Sequence, residues 1–332
     1  MEGNPVARLS ALADAITPWA IRVAATLGIA DALAGGPRPV AELAAAAKVD
    51  PDALARVLRY LAARGVFTEP GLDVFALTEL AAPLRSDHPA GRHAWLTMNG
   101  IGGRLDRTFS TLLDVVTTGR PGYPLLYGKP FWQDLMDDQD LSDSFDALMT
   151  THAPWFSEVA AARDWSAAKR VVDVGGGSGA LLAAILRQAP HLHGTLVDLP
   201  ATIATAKEFL GGDLADRSTT VAGSFFDELP AGDDVYVLSN VLHDWSDADA
   251  RRILARCAEA VPSGGRLLIV ERIIAGQLDA DMVTRMDLRM LVLVGGRERS
   301  ADEYGDLAAE AGFRLDREIP TASGPTILEC VR

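Results

Sequence analysis

Cysteine is nearly absent from this chain: only Cys257 and Cys330 occur in 332 residues. Cys257 falls in the helical stretch RRILARCAEAV and Cys330 in a strand-like tail, so both read as small apolar core residues. Two such residues build neither a disulfide scaffold nor a zinc cluster. Long apolar runs are missing as well. Nothing approaches the roughly 18 to 20 apolar residues that cross a bilayer. Residues 1–30 carry Glu2, Arg8, Asp14 and Arg22 at intervals, unlike a leader with a basic start and an unbroken apolar stretch. The expectation is a cytoplasmic protein with no membrane partner. Positive charge is in deficit: 31 Lys and Arg against 45 Asp and Glu leave a net charge of −14. That field repels a phosphate backbone at long range and disfavours a nucleic-acid partner. What is abundant is apolar. Hydrophobic residues make up 48% of the chain, which argues against disorder and, at this length, suits two domains.

The first hundred residues read as short helices, expected to form a helical domain over 1–100. Within them, VAELAAAAKVDPDALARVLRYLAARGVFTEPGLDVFALT has the pattern of a winged helix-turn-helix. One helix ends near Lys48, Asp50 offers an N-cap, Pro51 takes the first helical position, and Gly65 closes the second helix. Leu54, Val57, Leu58 and Leu61 share a face. Val66 to Leu77, broken at Pro70-Gly71, reads as a two-stranded wing. Arg56, Arg59 and Arg64 on the second helix invite a DNA-binding reading. Residues 1–90, however, hold eight Lys/Arg against ten Asp/Glu, so the basic footprint of such a domain is missing. A dimerisation scaffold fits better.

Residues 101–165 read as a helical linker that also lines a pocket. An aromatic-rich patch with scattered methionines begins before it and runs through it, including Trp95, Met98, Trp132 and Met149, and the segment GRPGYPLLYGKP reads as a loop. From residue 166 to the end the texture is that of a Rossmann-like α/β domain. RVVDV, GTLVDL, TTVAG, DVYVLS and RLLIVE lack polar alternation, as strands buried on both faces should. Helices 180–189, 201–210 and 247–261 sit between them, and a hairpin-like pair ends the chain.

The chemistry-bearing residues gather at the ends of those strands. The first runs into Asp173-Val174-Gly175-Gly176-Gly177-Ser178-Gly179, where glycines permit a tight turn and close approach of backbone to a ligand. Asp198 ends the next strand, placed to accept hydrogen bonds from ribose hydroxyls. Gly175, Gly177 and Ala180 also satisfy the dinucleotide pattern, so the motif alone leaves an NAD-dependent oxidoreductase open. Ser224 followed by Phe225 offers a polar edge and an aromatic face to an adenine. The fourth strand ends in Ser239-Asn240-Val241-Leu242-His243-Asp244-Trp245, which places His243 where open α/β sheets bind ligands. Met286, Met290 and Val294 recur at helical spacing ahead of Gly295-Gly296 and Glu298.

Taken in order, DVGGGSG, VDLP, GSFF, LHDWSD, SGGRLLIVE and GGRERS closely resemble the plant caffeate and bacterial polyketide class of S-adenosylmethionine-dependent O-methyltransferases, over the whole chain. RVAATLGIADALA, GYPLLYGKPFWQDL and MDLRMLVLVGG are similar to antibiotic-pathway members that methylate hydroxy-naphthoates. The resemblance implies a mainly helical winged-helix dimerisation domain, a Rossmann-like domain binding S-adenosylmethionine (SAM, leaving as S-adenosylhomocysteine, SAH), no metal, and a homodimer acting on a small aromatic substrate. It implies His243 as general base with Glu271 and Glu298 orienting it. Cofactor contacts carry over to Asp173, Gly175, Gly177, Asp198, Ser224, Phe225, Ser239 and Trp245, although many relatives have Asp where this chain has Ser224. Substrate walls carry over to Trp132, Met149, Met286 and Met290, with Trp95 and Met98 beside them. An acid acceptor also needs a cation for its carboxylate, for which Arg8, Arg104 and Arg107 are candidates. Some relatives keep the fold but hydroxylate, decarboxylate or cyclise instead, and that alternative stays open beside methyl transfer.

Overall fold

The computed structural model describes residues 4–150, 153–274 and 280–332. The chain divides into two compact units, Met1–Arg107 and Thr108–Arg332.

In the first unit, Asp50 caps the helix Pro51–Ala63 by accepting from the Ala53 N–H at 2.8 Å, and the preceding helix Val40–Ala47 stops at Lys48 in a left-handed conformation. Leu54, Leu58 and Leu61 bury against Phe67 and Phe75, while Val57 is only partly covered. The wing differs from the sequence reading. Its strands are Phe67–Gly71 and Val74–Leu77, so Pro70 and Gly71 lie inside the first strand and the turn falls at Leu72-Asp73; Arg38–Pro39 adds a third strand. Asp73 takes the positive φ that the turn requires (59°), a conformation its short polar side chain tolerates. The three arginines of the second helix are all matched to acids. Arg59 pairs with Glu69 and Asp73, Arg56 with Asp52, and Arg64 with Asp14. At the other end of the unit, the helix Pro5–Leu12 buries none of its residues. Val6, Leu9, Leu12, Ile16 and Trp19 form an exposed apolar row.

The second unit is built on a seven-stranded sheet. Its strands are β1 (Arg170–Val174), β2 (His193–Asp198), β3 (Ser218–Ala222), β4 (Val235–Ser239), β5 (Arg266–Glu271), β6 (Arg314–Pro320) and β7 (Thr326–Val331). They run in the order β3-β2-β1-β4-β5-β7-β6. The first five are parallel, and β7 inserts antiparallel between β5 and β6. This is not the six-stranded order of dinucleotide-binding sheets. β1, β4 and β5 are buried along nearly their whole length, as their apolar sequences require. β3 departs from that expectation: it is the edge strand, and none of its residues is fully buried. Helices Ala180–Gln188, Pro200–Leu210 and Asp247–Ala260 occupy the expected crossovers. The segment expected to be a loop contains a short helix, Tyr123–Tyr127, tied down by the buried Tyr123 hydroxyl, which donates to Asp134 at 2.7 Å. No described helix is long and apolar enough to cross a membrane.

Candidate active site

The strand order reverses between β1 and β4, and the turns leaving these two strands lie side by side. Open α/β sheets hold their ligands at such a switch point. Gly175 leaves β1 with φ 71°, and a Cβ there would stand 3.0 Å from Val241 and 3.2 Å from the Phe225 ring. Only glycine lets the backbone pass between these side chains. The turn is latched to β2, because Asp198 accepts from the Gly177 and Leu199 N–H groups at 2.8 and 2.7 Å. Phe225 meets Trp245 edge to face, with centroids 5.7 Å apart. Ser224 accepts from the Phe226 N–H at 3.2 Å.

Several buried polar atoms around this turn have no hydrogen-bond partner among the described residues: both carboxylate oxygens of Asp173, the Ser239 hydroxyl and the Trp132 indole nitrogen. Burial pushes Asp173 up to about 7, with the Asp198 charge adding to it. Burial also raises Asp198. Asp146, on the helix Gln139–Thr150, is pushed up to about 6 by burial and then by Asp198. A cradle kept open by glycine, orphaned polar atoms and an excess of buried carboxyl groups suit a cationic nucleoside ligand. They fit S-adenosylmethionine.

At the end of β4 the chain turns through Leu242–Asp244 and presents His243. Two segments fix this turn. Glu271, the last residue of β5, accepts from the Val241 and Leu242 N–H groups at 3.1 and 2.9 Å through one carboxylate oxygen. Gly296 lies so close to the turn that a Cβ there would collide with the His243 carbonyl. Arg299, almost fully buried, donates to the Leu242 and Trp245 carbonyls, both at 2.9 Å, and pairs with Asp247 at 2.7 Å. A parallel bridge between Ile273 and Arg299 carries the Glu298 segment alongside the extension of β5.

Glu298 thereby reaches His243, with its Oε1 2.9 Å from Nδ1. The second oxygen of Glu271 lies 3.6 Å from Nδ1, and Asp244 lies 3.6 Å from Nε2. Burial alone would drive the imidazole toward its neutral form. The Glu271 charge, then Asp244 and Glu298, outweigh it and push His243 up to about 10. Burial lifts Glu271 to about 7 and Asp244 to about 6. Nδ1 is committed to Glu298, which leaves Nε2 as the nitrogen able to meet an acceptor. Asp287 is a further partner, accepting from the Glu298 N–H at 2.9 Å.

The remaining residues expected at the site divide between the two units. Met290 is buried, and its carbonyl accepts from Val294, Gly295 and Gly296 as the helix Ala280–Leu293 ends. Met286 is half-buried one turn earlier, and Met149 is exposed on the helix Gln139–Thr150. The Trp132 ring lies 6.3 Å from that of Trp245, tilted by only 17°. Arg8, Trp95, Met98, Arg104 and Arg107 belong to the first unit. Arg8 and Arg107 are exposed there, Trp95, Met98 and Arg104 half-buried, and the Met98 N–H donates to Thr26 at 2.8 Å. Among the described residues no group of three His, Cys, Asp or Glu is arranged to hold a metal ion.

A sheet of this order, with a glycine cradle on β1 and an acid-flanked histidine after β4, defines a nucleoside-binding transferase. The chain belongs to the O-methyltransferase family: the O-methyltransferase domain matches residues 109–314 and the O-methyltransferase dimerisation domain residues 10–87. Among its relatives is a 2,7-dihydroxy-5-methyl-1-naphthoate 7-O-methyltransferase from Streptomyces carzinostaticus, 51% identical over 94% of both chains. Another is the aclacinomycin 10-hydroxylase RdmB from Streptomyces purpurascens, 46% identical over 96% of this chain and 87% of the relative. The crystal structure of NcsB1, an O-methyltransferase from neocarzinostatin biosynthesis in complex with SAM and 2-hydroxy-5-methyl naphthoic acid, is similar at a TM-score of 0.92 and 49% identity. That match covers 97% of this chain and 98% of the other.

Proposed function

We propose that this protein transfers the methyl group of SAM to a phenolic hydroxyl of a hydroxylated naphthoate or related polyketide, with His243 as general base. The observation that carries the reading is the His243–Glu298 contact at 2.9 Å, formed on a turn that two other segments lock beside the glycine cradle. When bound, SAM supplies an electrophilic methyl on a positively charged sulfur. The chain supplies the rest. A phenol of pKa about 10 is roughly one part in a thousand ionised at neutral pH. A positioned imidazole Nε2 that removes its proton contributes about 10²- to 10⁴-fold. Glu298 and Glu271 fix the ring and stabilise the imidazolium that results. The same carboxylates raise the proton affinity of His243, and a cationic ligand beside them would oppose that proton and favour the neutral base.

Gly175, Gly177 and Asp198 would hold the backbone-facing and ribose side of the cofactor, with Ser224, Phe225 and Trp245 on its base. Asp173 and Ser239 would supply the buried polar atoms that remain. Met286 and Met290 would wall the acceptor. The matched dimerisation domain and the exposed row from Val6 to Trp19 support a homodimer.

Methyl transfer is tested with deuteromethyl-SAM and a panel of hydroxylated naphthoates, benzoates and anthracyclinones, read by mass spectrometry. Labelled product is expected with a naphthoate. The hydroxylase relative gives a second reading, oxygen insertion into the acceptor. Product that gains an atom from labelled dioxygen and no labelled methyl would replace the first reading with the second.

A further inference from the structure

Trp132 was placed by resemblance among the acceptor walls, but its surroundings are of another kind. It stands on the helix Phe131–Asp137, inside the second unit. Its ring lies nearly parallel to that of Trp245, which in turn meets Phe225 and Phe226 edge to face at 5.7 and 4.8 Å. Phe225 is the ring that abuts the Gly175 backbone. The three rings thus run outward in series from the glycine cradle. On its other side, Trp132 is held edge to face by Phe131 and Phe145 at 4.9 and 5.9 Å. A ring packed on this many sides has little freedom to turn, so the direction of its N–H is set before any ligand arrives. That N–H is buried and has no hydrogen-bond partner among the described residues. An indole N–H is a donor only, and a buried donor left unpaired is costly unless a ligand satisfies it.

We infer that Trp132 is a cofactor residue, closing the outer end of the adenine pocket that begins at Phe225 and donating its indole N–H to a ring nitrogen of the base. The inference rests on the SAM-binding reading above. Adenine brings what the pocket lacks: a flat apolar face for Trp245 and Phe225, and in-plane nitrogen acceptors for an in-plane donor. Ser224 offers the base only a hydroxyl on one edge. A donor on a second edge compensates.

The test is direct binding of SAH by calorimetry to the wild-type protein, to Trp132→Phe and to Trp132→Leu, alongside 1-deaza, 3-deaza and 7-deaza analogues of SAH. Trp132→Phe keeps the aromatic body and loses only the N–H, so its Kd for SAH should rise about 3- to 10-fold. Trp132→Leu should weaken binding further. For one deaza analogue the penalty of Trp132→Phe should vanish, which identifies the nitrogen. The KM of the acceptor should stay within about two-fold. An unchanged Kd for SAH in Trp132→Phe, or an equal penalty with SAH and all three analogues, overturns the inference. If the wild-type protein binds no SAH at all, the SAM-binding reading falls instead.

Discussion

His243 sits among three carboxyl groups, and its proton affinity is set by them more than by the ring itself. Replacing it with alanine should lower kcat by about 10²- to 10⁴-fold while SAH binding stays within a few-fold; unchanged turnover would remove it from the chemistry. Glu271→Gln tests the electrostatics with the shape nearly preserved, since the amide oxygen can still accept from Val241 and Leu242. Removing the charge that raises His243 most must lower its pKa. Turnover that needs the neutral ring should then begin its rise at lower pH in the variant, and a limb that stays in place would mean another group titrates. Asp173 makes a prediction about stability. Its pKa is about 7 in the fold against 3.8 as the ordinary value, so the folded state keeps a proton across that window and the unfolded state does not. Stability from this group therefore falls as pH rises from about 4 to about 7. Asp173→Asn should show a smaller drop in Tm between about pH 5 and pH 8 in the ligand-free protein. The roles of His243, Glu271 and Glu298 could be suggested from sequence because each stands in its own short motif. Arg299, Asp287 and Asp146 could not. Each acts on partners brought in by the fold, and in GGRERS a buried arginine looks the same as a surface one.

Among the elements, the turn after β4 depends most on distant parts of the chain. Arg299 holds its carbonyls from one side and Glu271 its amides from the other. Arg299→Met keeps an unbranched apolar stem but leaves two carbonyls without their donor and Asp247 without its nearer cation, Arg297 remaining at 3.7 Å. A loss of about 2 to 4 kcal/mol in denaturant melts is expected, with kcat falling more than SAH affinity. A variant as stable and active as the parent would leave Glu271 as the sufficient support. The five parallel strands could be read from their apolar runs, and the crossover helices came within a residue or so of their observed bounds. The misreadings have physical causes. Strand β3 lacks polar alternation but holds an edge position, which only the pairing order reveals. The Pro70-Gly71 dipeptide looked like a turn and sits in a strand instead, because Asp73 accepts the left-handed conformation two residues later. The short helix Tyr123–Tyr127 owes its place to the Tyr123–Asp134 bond, a contact that composition does not announce.

For the molecule as a whole, the helix Pro5–Leu12 is a packed element only if something covers it. Leu9 and Leu12 are 67% and 77% exposed in the single chain, and a contiguous apolar row of this kind marks an association surface. The double substitution Leu9→Glu and Leu12→Glu should shift sedimentation from a dimer to a monomer; a wild-type protein that already sediments as a monomer would retire the homodimer. The sheet order also bears on how the molecule comes into being. In the parallel part every neighbour pair must wait for a crossover, and β1 joins β4 only after two other strands have intervened in sequence. Pairings of this range are slow to form. The exception is β6 with β7, antiparallel neighbours separated by a short turn, which can close on the microsecond scale of a hairpin. Refolding should therefore protect the β6 and β7 amides from hydrogen exchange before those of β1 and β4. The strand that carries Glu271 would then dock onto a preformed template, and the acid–histidine cluster would be among the last parts of the molecule to mature.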